Sequence, residues 1–198
     1  MKLYYTPGAC SISPHIALCE AGIAHQIDKV DLRAKKTESG ADYLAINPKG
    51  YIPALQLDNG EILVEGVAIV QYIADQKPES GLAPKAGTME RYRLQEWLTF
   101  ISSELHKAFS PLFNAAMPEE GKKIFRDRLA QRWAYVDKQL AGKDYLMGNF
   151  SVADGYLYNM TRWAKRVNLD LSAFPNVTAV AARIEARPKV QEAVQAEA

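Results

Sequence analysis

The sequence predicts an α/β unit followed by an all-helical unit. Three observations lead there. Strand-like and helix-like stretches alternate from Lys2 to Asp75. The segment from Gln76 to Thr88 holds two prolines and two glycines and no apolar period, which reads as a linker. Beyond it the apolar residues recur almost wholly at helical spacing. The expected boundaries are 1–77 for the α/β unit, 78–86 for the linker and 87–198 for the helical unit.

Lys2 to Tyr5 reads as a short strand stopped at Thr6-Pro7-Gly8-Ala9. Ser11 to Ala21 is apolar at helical spacing, with Pro14 in the first turn and Gly22 where the helix would end. Ile27 to Asp31 suggests a second strand. Leu32 to Ala45 is polar and loop-like, with a weak helix near its end. Ala54 to Leu57 and Ile62 to Val64 are strands joined by the tight turn Asp58-Asn59-Gly60-Glu61. Gly66 to Asp75 is helical through Val67, Val70 and Ile73.

In the second unit Leu94, Trp97, Leu98, Ile101, Leu105 and Leu112 share one face of a long helix. Phe125, Leu129, Trp133, Val136 and Leu140 make another. Ser151-Val152-Ala153-Asp154 has the form of a capping box, Asp replacing the usual Glu, and opens a helix through Trp163. Two shorter helical pieces, Ala179 to Ile184 and Val190 to Val194, are split by Pro188.

Composition narrows the function. Of 198 residues 48% are hydrophobic and 24% charged, which suits a folded globular chain and excludes disorder. The net charge of +1 argues against a nucleic-acid binder. Met1–Ser80 carries 7 Lys and Arg against 10 Asp and Glu, and the remainder carries 17 against 13, in keeping with two units of different character. The basic clusters around Lys122–Arg132 and Arg162–Arg166 read as solvated helix faces. Two cysteines make no disulfide framework and suit a reducing compartment. With no apolar run near membrane-spanning length and no signal-peptide pattern, a soluble cytoplasmic protein is expected.

Four features could carry chemistry. Cys10 lies between a Gly-containing loop and a helix start, where unpaired amides and the helix dipole favour a thiolate. Cys19, among Ala17, Leu18 and Ala21, reads as core. Pro53 stands at the start of a strand, where no ladder donor is needed, and a cis bond there would turn the Ile52 backbone outward. Glu65 heads the helix that opens at Gly66, either as a favourable charge at its N-terminus or as an acceptor for a ligand ammonium. Thr99, Ser103 and His106, with Lys107, fall on one flank of the long helix, either contacting an acidic ligand or forming a solvated face. His15, His25 and His106 do not group with the cysteines in any usual zinc spacing, so no metal is expected. Phosphate-loop, dinucleotide and hydrolase-elbow patterns are also absent.

Several blocks resemble the bacterial beta class of cytosolic glutathione S-transferases. They are Met1-Lys2-Leu3-Tyr4-Tyr5-Thr6-Pro7-Gly8-Ala9-Cys10-Ser11, Ser13-Pro14-His15-Ile16, Ala45-Ile46-Asn47-Pro48-Lys49-Gly50, Glu65-Gly66-Val67-Ala68-Ile69-Val70-Gln71-Tyr72 and Ser103-Glu104-Leu105-His106-Lys107. The likeness spans essentially the whole chain. It implies a thioredoxin-like N-terminal domain plus an all-α C-terminal domain, glutathione as co-substrate, and a homodimer conjugating glutathione to hydrophobic electrophiles in detoxification. It places Cys10 beside the glutathione sulfur, sometimes in a mixed disulfide. Lys35 falls to the glycyl carboxylate, Ile52 with cis Pro53 to the cysteinyl backbone, and Glu65 with Gly66 to the γ-glutamyl end. Thr99, Ser103, Glu104, Leu105 and His106 come to the same pocket through dimerisation, with His106 near the thiol. Tyr5 is a further donor to the sulfur, ranked below Cys10.

Thr99 departs from the asparagine usual in relatives, and Gly155 from a better helix former, at a cost of ~1 kcal/mol. Gly66 is normal for this class, where other classes carry serine. Two rival functions share the fold. One is a monothiol glutaredoxin-like oxidoreductase using Cys10, since Ser13 stands where a second cysteine would be. The other is a non-catalytic glutathione-binding protein.

Overall fold

The computed structural model describes residues 1–198, which divide into two compact units: Met1–Ala83 with Arg187–Ala198, and Pro84–Ala186. The break at Ala83–Pro84 lies within the expected linker. The first unit, however, also takes the last twelve residues of the chain, which the sequence reading assigns to the helical unit.

In the first unit the elements run β1 (Lys2–Tyr5), α1 (Ile12–Glu20), β2 (Gln26–Asp31), β3 (Lys36–Thr37), α2 (Tyr43–Ile46), β4 (Ala54–Gln56), β5 (Ile62–Val64) and α3 (Gly66–Gln76), with α9 (Pro188–Ala196) returning to it. Five strands make one mixed sheet in the order β3-β2-β1-β4-β5. β1 and β2 are parallel, and the other pairs antiparallel. This is the thioredoxin-like arrangement. The stretch read as loop-like with a weak helix near its end holds two small elements. The first is the two-residue β3. The second is the single turn α2, opened by Asp42, whose side chain accepts from the Leu44 amide.

Alternation along β1 sends Leu3 and Tyr4 to opposite faces. Leu3 and its register partner Leu55 are fully buried, as are Ile12, Ile16 and Leu18 of α1 and Ile69 and Ile73 of α3. On Tyr4's side a separate cluster forms from Tyr4, Val30, Tyr43, Ile52 and Ala54, with Cys10 packed against it. Helix α9 packs on α1. Arg187 grips Glu20 with two bonds of 2.6 and 2.8 Å, and Glu197 meets His15 at 2.9 Å. Proline at the first position of α9 starts that helix without losing a needed donor.

The second unit is helical: α4 (Met89–Phe100), a π-helical segment (Ile101–His106), α5 (Lys107–Phe113), α6 (Glu119–Leu140), α7 (Val152–Arg166) and α8 (Pro175–Glu185). The expected capping box is formed at α7. Asp154 accepts from the Ser151 amide and hydroxyl and from the Leu146 amide, each at 2.8 Å. Leu129, Trp133, Val136 and Leu140 of α6 are buried. No helix is long and apolar enough to cross a membrane.

The long helix read from Leu94 to Leu112 is corrected by the π-helical segment in its middle. An i→i+5 turn there changes the backbone bonding from the α-helical pattern. Thr99 and Ser103 are exposed, whereas His106 is turned inward.

Candidate functional site

Within the first unit the polar residues singled out by sequence converge around the turn that leads into β4. The Ile52–Pro53 bond is cis. Cys10 sits two residues before α1, half-buried, and its thiol donates to the Ile52 carbonyl oxygen at 3.6 Å. The loop before it is tied by the Ser11 hydroxyl, which accepts from the Thr6 amide at 3.2 Å, and by the Thr6 hydroxyl, which donates to the Val30 carbonyl at 2.8 Å.

Lys35 and Glu65 stand at the rim of this turn, and both adopt left-handed backbone, with φ of 55° and 72°. For side chains with a Cβ this costs on the order of 1–3 kcal/mol, and such strain gathers where position matters for function. The Lys35 ammonium donates to the Gly50 carbonyl at 2.6 Å. Gly50 itself has φ of +69°, and a Cβ there would come within 3.0 Å of the Leu44 side chain. Glu65 precedes α3, so its carboxylate lies at a helix N-terminus. It accepts from Lys49 at 2.5 Å and from the Tyr51 hydroxyl at 3.0 Å. Glu65 beside it pushes the Lys49 ammonium pKa up. The site thus offers a carboxylate for a cation, the amides at the start of α3 and the Lys35 ammonium for anions, and a thiol between them.

The family models for the glutathione S-transferase N-terminal domain and C-terminal domain match residues 9–76 and 100–188. Glutathione S-transferase GstA of Escherichia coli O157:H7 is 45% identical over 198 residues, covering 100% of this chain and 98% of that one. The chain belongs to the glutathione S-transferase family. A sphingomonad glutathione S-transferase complexed with glutathione is 51% identical with a TM-score of 0.96, over 100% and 98% of the two chains. A bacterial beta-class glutathione S-transferase from Sphingomonas chungbukensis is 49% identical with a TM-score of 0.96, over the same shares. The beta-class resemblance of the sequence is thereby matched.

Not every expected residue of the transferase joins the Cys10 group. Tyr5 follows Tyr4 on β1, so its side chain points to the opposite face from the Tyr4 cluster that Cys10 packs against. Burial pushes the Tyr5 phenol up, with Glu197, Glu38 and Asp28 adding to it.

In the second unit Ser103 donates to the Thr99 carbonyl at 3.0 Å, Glu104 accepts from Arg132 at 2.7 Å, and Leu105 is fully buried core. His106 lies among aromatic rings. Its Nδ1 is 2.5 Å from the Tyr156 hydroxyl, and its ring meets Trp163 edge to face at 4.7 Å. Phe109 and Phe113 pack on the same Trp163. Burial, with Lys107 adding to it, pushes the His106 pKa down to about 4, so the imidazole is neutral near pH 7.

Sequence reasoning missed two sets of residues. Lys49 and Tyr51, partners of Glu65, lie in and just after the Asn47-Pro48-Lys49-Gly50 block, which carries the family resemblance but was given no site residue. The expectation that no histidine groups with a cysteine is also corrected, because His15, Cys19 and His25 lie together. The available signal was the four-residue spacing of His15 and Cys19 on one helix.

Proposed function

We propose that this transferase binds glutathione at the Cys10–Ile52–Glu65 corner and conjugates its sulfur to a hydrophobic electrophile, working as a cytoplasmic homodimer in detoxification. One observation carries the reading: a thiol, the backbone carbonyl it donates to, a carboxylate and an ammonium are gathered around one cis-proline turn. Glutathione has a complementary set of groups in an extended chain. Its γ-glutamyl ammonium replaces Lys49 at Glu65, and its γ-glutamyl carboxylate takes the amides that open α3 at Gly66. Its cysteinyl backbone pairs with Ile52, beside Cys10, and its glycyl carboxylate meets Lys35.

The reaction is a displacement. The glutathione thiol gives its proton to solvent, the sulfur forms a bond to the electrophilic carbon, and the leaving group departs with its bonding pair. Cys10 positions the sulfur and is not consumed. Thr99, Ser103 and His106 are assigned to glutathione contacts from the dimer partner's side of the site. Exposed Leu44, Tyr51, Met89 and Tyr92 support the dimer, as apolar surface a second copy would cover.

Cys10→Ala tests the reading. Conjugation of a chlorinated aromatic largely survives, and reduction of glutathione mixed disulfides disappears. Loss of conjugation would instead favour a Cys10-centred oxidoreductase. Glutathione binding with no conjugation of any electrophile, in the parent chain, would mark a non-catalytic binder.

A further inference from the structure

A second group of reactive side chains lies at the far end of α1 and takes no part in the transferase reading. His15 and Cys19 stand one turn apart on α1, and after Gly22 the chain sets His25 beside them. The three bring one donor atom each to within 4.8 Å of one another. The His15 and His25 rings meet edge to face with centroids 5.2 Å apart.

Each imidazole is oriented through Nδ1. That of His15 lies 2.9 Å from the Glu197 carboxylate, and that of His25 lies 2.7 Å from the Ile23 carbonyl oxygen. A carbonyl and an ionised carboxylate only accept, so each Nδ1 carries a proton and Nε2 is the nitrogen left to face an ion. Metal-binding histidines are held in this way, one nitrogen donating to a carboxylate or carbonyl while the other faces the ion. The Glu197 contact alone would explain His15 as a tie between α9 and α1. It leaves the meeting of one donor atom from each of His15, Cys19 and His25 unexplained.

We propose that His15, Cys19 and His25 form a zinc-type metal site, with two imidazole nitrogens and one thiolate as ligands to a single ion and water at the fourth position. Two nitrogens and a sulfur suit a borderline-soft divalent cation, whereas calcium and magnesium require oxygen donors that do not converge here. Bond lengths of about 2.0–2.3 Å require the donors to close up by about 1 Å. His15 and Cys19 are fixed on α1. His25 is half-buried on a connection that follows Gly22, and it supplies the movement. It also lines a surface cavity of about 470 Å³ with Met1, Lys2, Gln26 and Asp58. As the metal–sulfur bond forms, the Cys19 thiol releases its proton to solvent. The ion stays divalent and no redox partner is needed. Because Glu197 orients His15, occupancy clasps the terminal helix to α1, and the loaded chain unfolds at higher temperature.

The test uses the full chain without an affinity tag. Zinc sulfate is titrated against a competing chromophoric chelator, and cobalt(II) serves as the spectroscopic probe. The expected result is one zinc per chain, a thiolate-to-cobalt charge-transfer band and a raised Tm with zinc. Cys19→Ala and His25→Asn lose the band and weaken zinc binding by more than ~100-fold, while keeping the parent's circular dichroism and glutathione binding. Glu197→Gln weakens it by about 10–100-fold, and Cys10→Ala leaves it unchanged. Substoichiometric zinc, a band that survives Cys19→Ala, or a band lost in Cys10→Ala would overturn the proposal.

Discussion

The Cys10 corner of the first unit and the His106 pocket of the second are both marked by family resemblance, and they are built on opposite principles. The Cys10 corner is polar and within reach of solvent. Its thiol, ammonium and carboxylate are held by loops, and two of its residues sit in left-handed backbone. The His106 pocket is aromatic and desolvated, and its imidazole has lost basicity to burial. Charged recognition needs groups already oriented and only partly paired, as at Glu65. A neutral imidazole between rings contributes polarity and shape without charge.

The largest effect expected from this contrast is on acid stability. In the unfolded chain His106 titrates near 6.5, and in the folded one near 4. Between these values the unfolded state binds a proton that the folded state does not. Stability from this residue is therefore complete above pH 6.5 and is lost as pH falls towards 4, by about 3 kcal/mol. Denaturant unfolding across pH 4–7 checks this, because His106→Gln removes that part of the slope. An unchanged slope would mean that the imidazole titrates normally.

The next effect falls on the polar corner. Glu65→Gln keeps the shape of the side chain but removes the charge that meets an ammonium, and glutathione binding weakens by about 2 kcal/mol, or roughly 30-fold. Titration calorimetry reads this, and Tm moves little because the Lys49 pair is exposed. The smallest effect is at Tyr5. Since its side chain lies on the other sheet face, Tyr5→Phe leaves conjugation within about twofold of the parent. A loss of tenfold or more would return Tyr5 to the sulfur.

Much of both units was legible where the signals are local. The strand β1 with its Pro-Gly stop, the Asp58–Glu61 hairpin turn, the start of α3 at Gly66 and the capping box before α7 each depend on a few adjacent residues. The π-helical segment was not legible. Leu98, Ile101, Leu105, Phe109 and Leu112 follow an α-helical rhythm, and the i→i+5 turn changes backbone bonding without changing the apolar pattern. Membership of α9 in the first unit rests on Arg187 with Glu20 and Glu197 with His15, pairs more than 160 residues apart that leave no local trace. The metal-type cluster was hidden for a related reason, as only two of its three members share an element. At the candidate site the residue types were readable, while the left-handed backbone at Lys35 and Glu65 and the pairing of Lys49 with Glu65 required the fold.

A crystal structure of the chain soaked with glutathione tests the central claim most directly. The account predicts an extended tripeptide whose cysteinyl backbone pairs with Ile52, with its sulfur beside Cys10 and its ammonium on Glu65 in place of Lys49. Glutathione seated away from the Ile52–Pro53 turn, or bound with the Lys49–Glu65 pair intact, would contradict it.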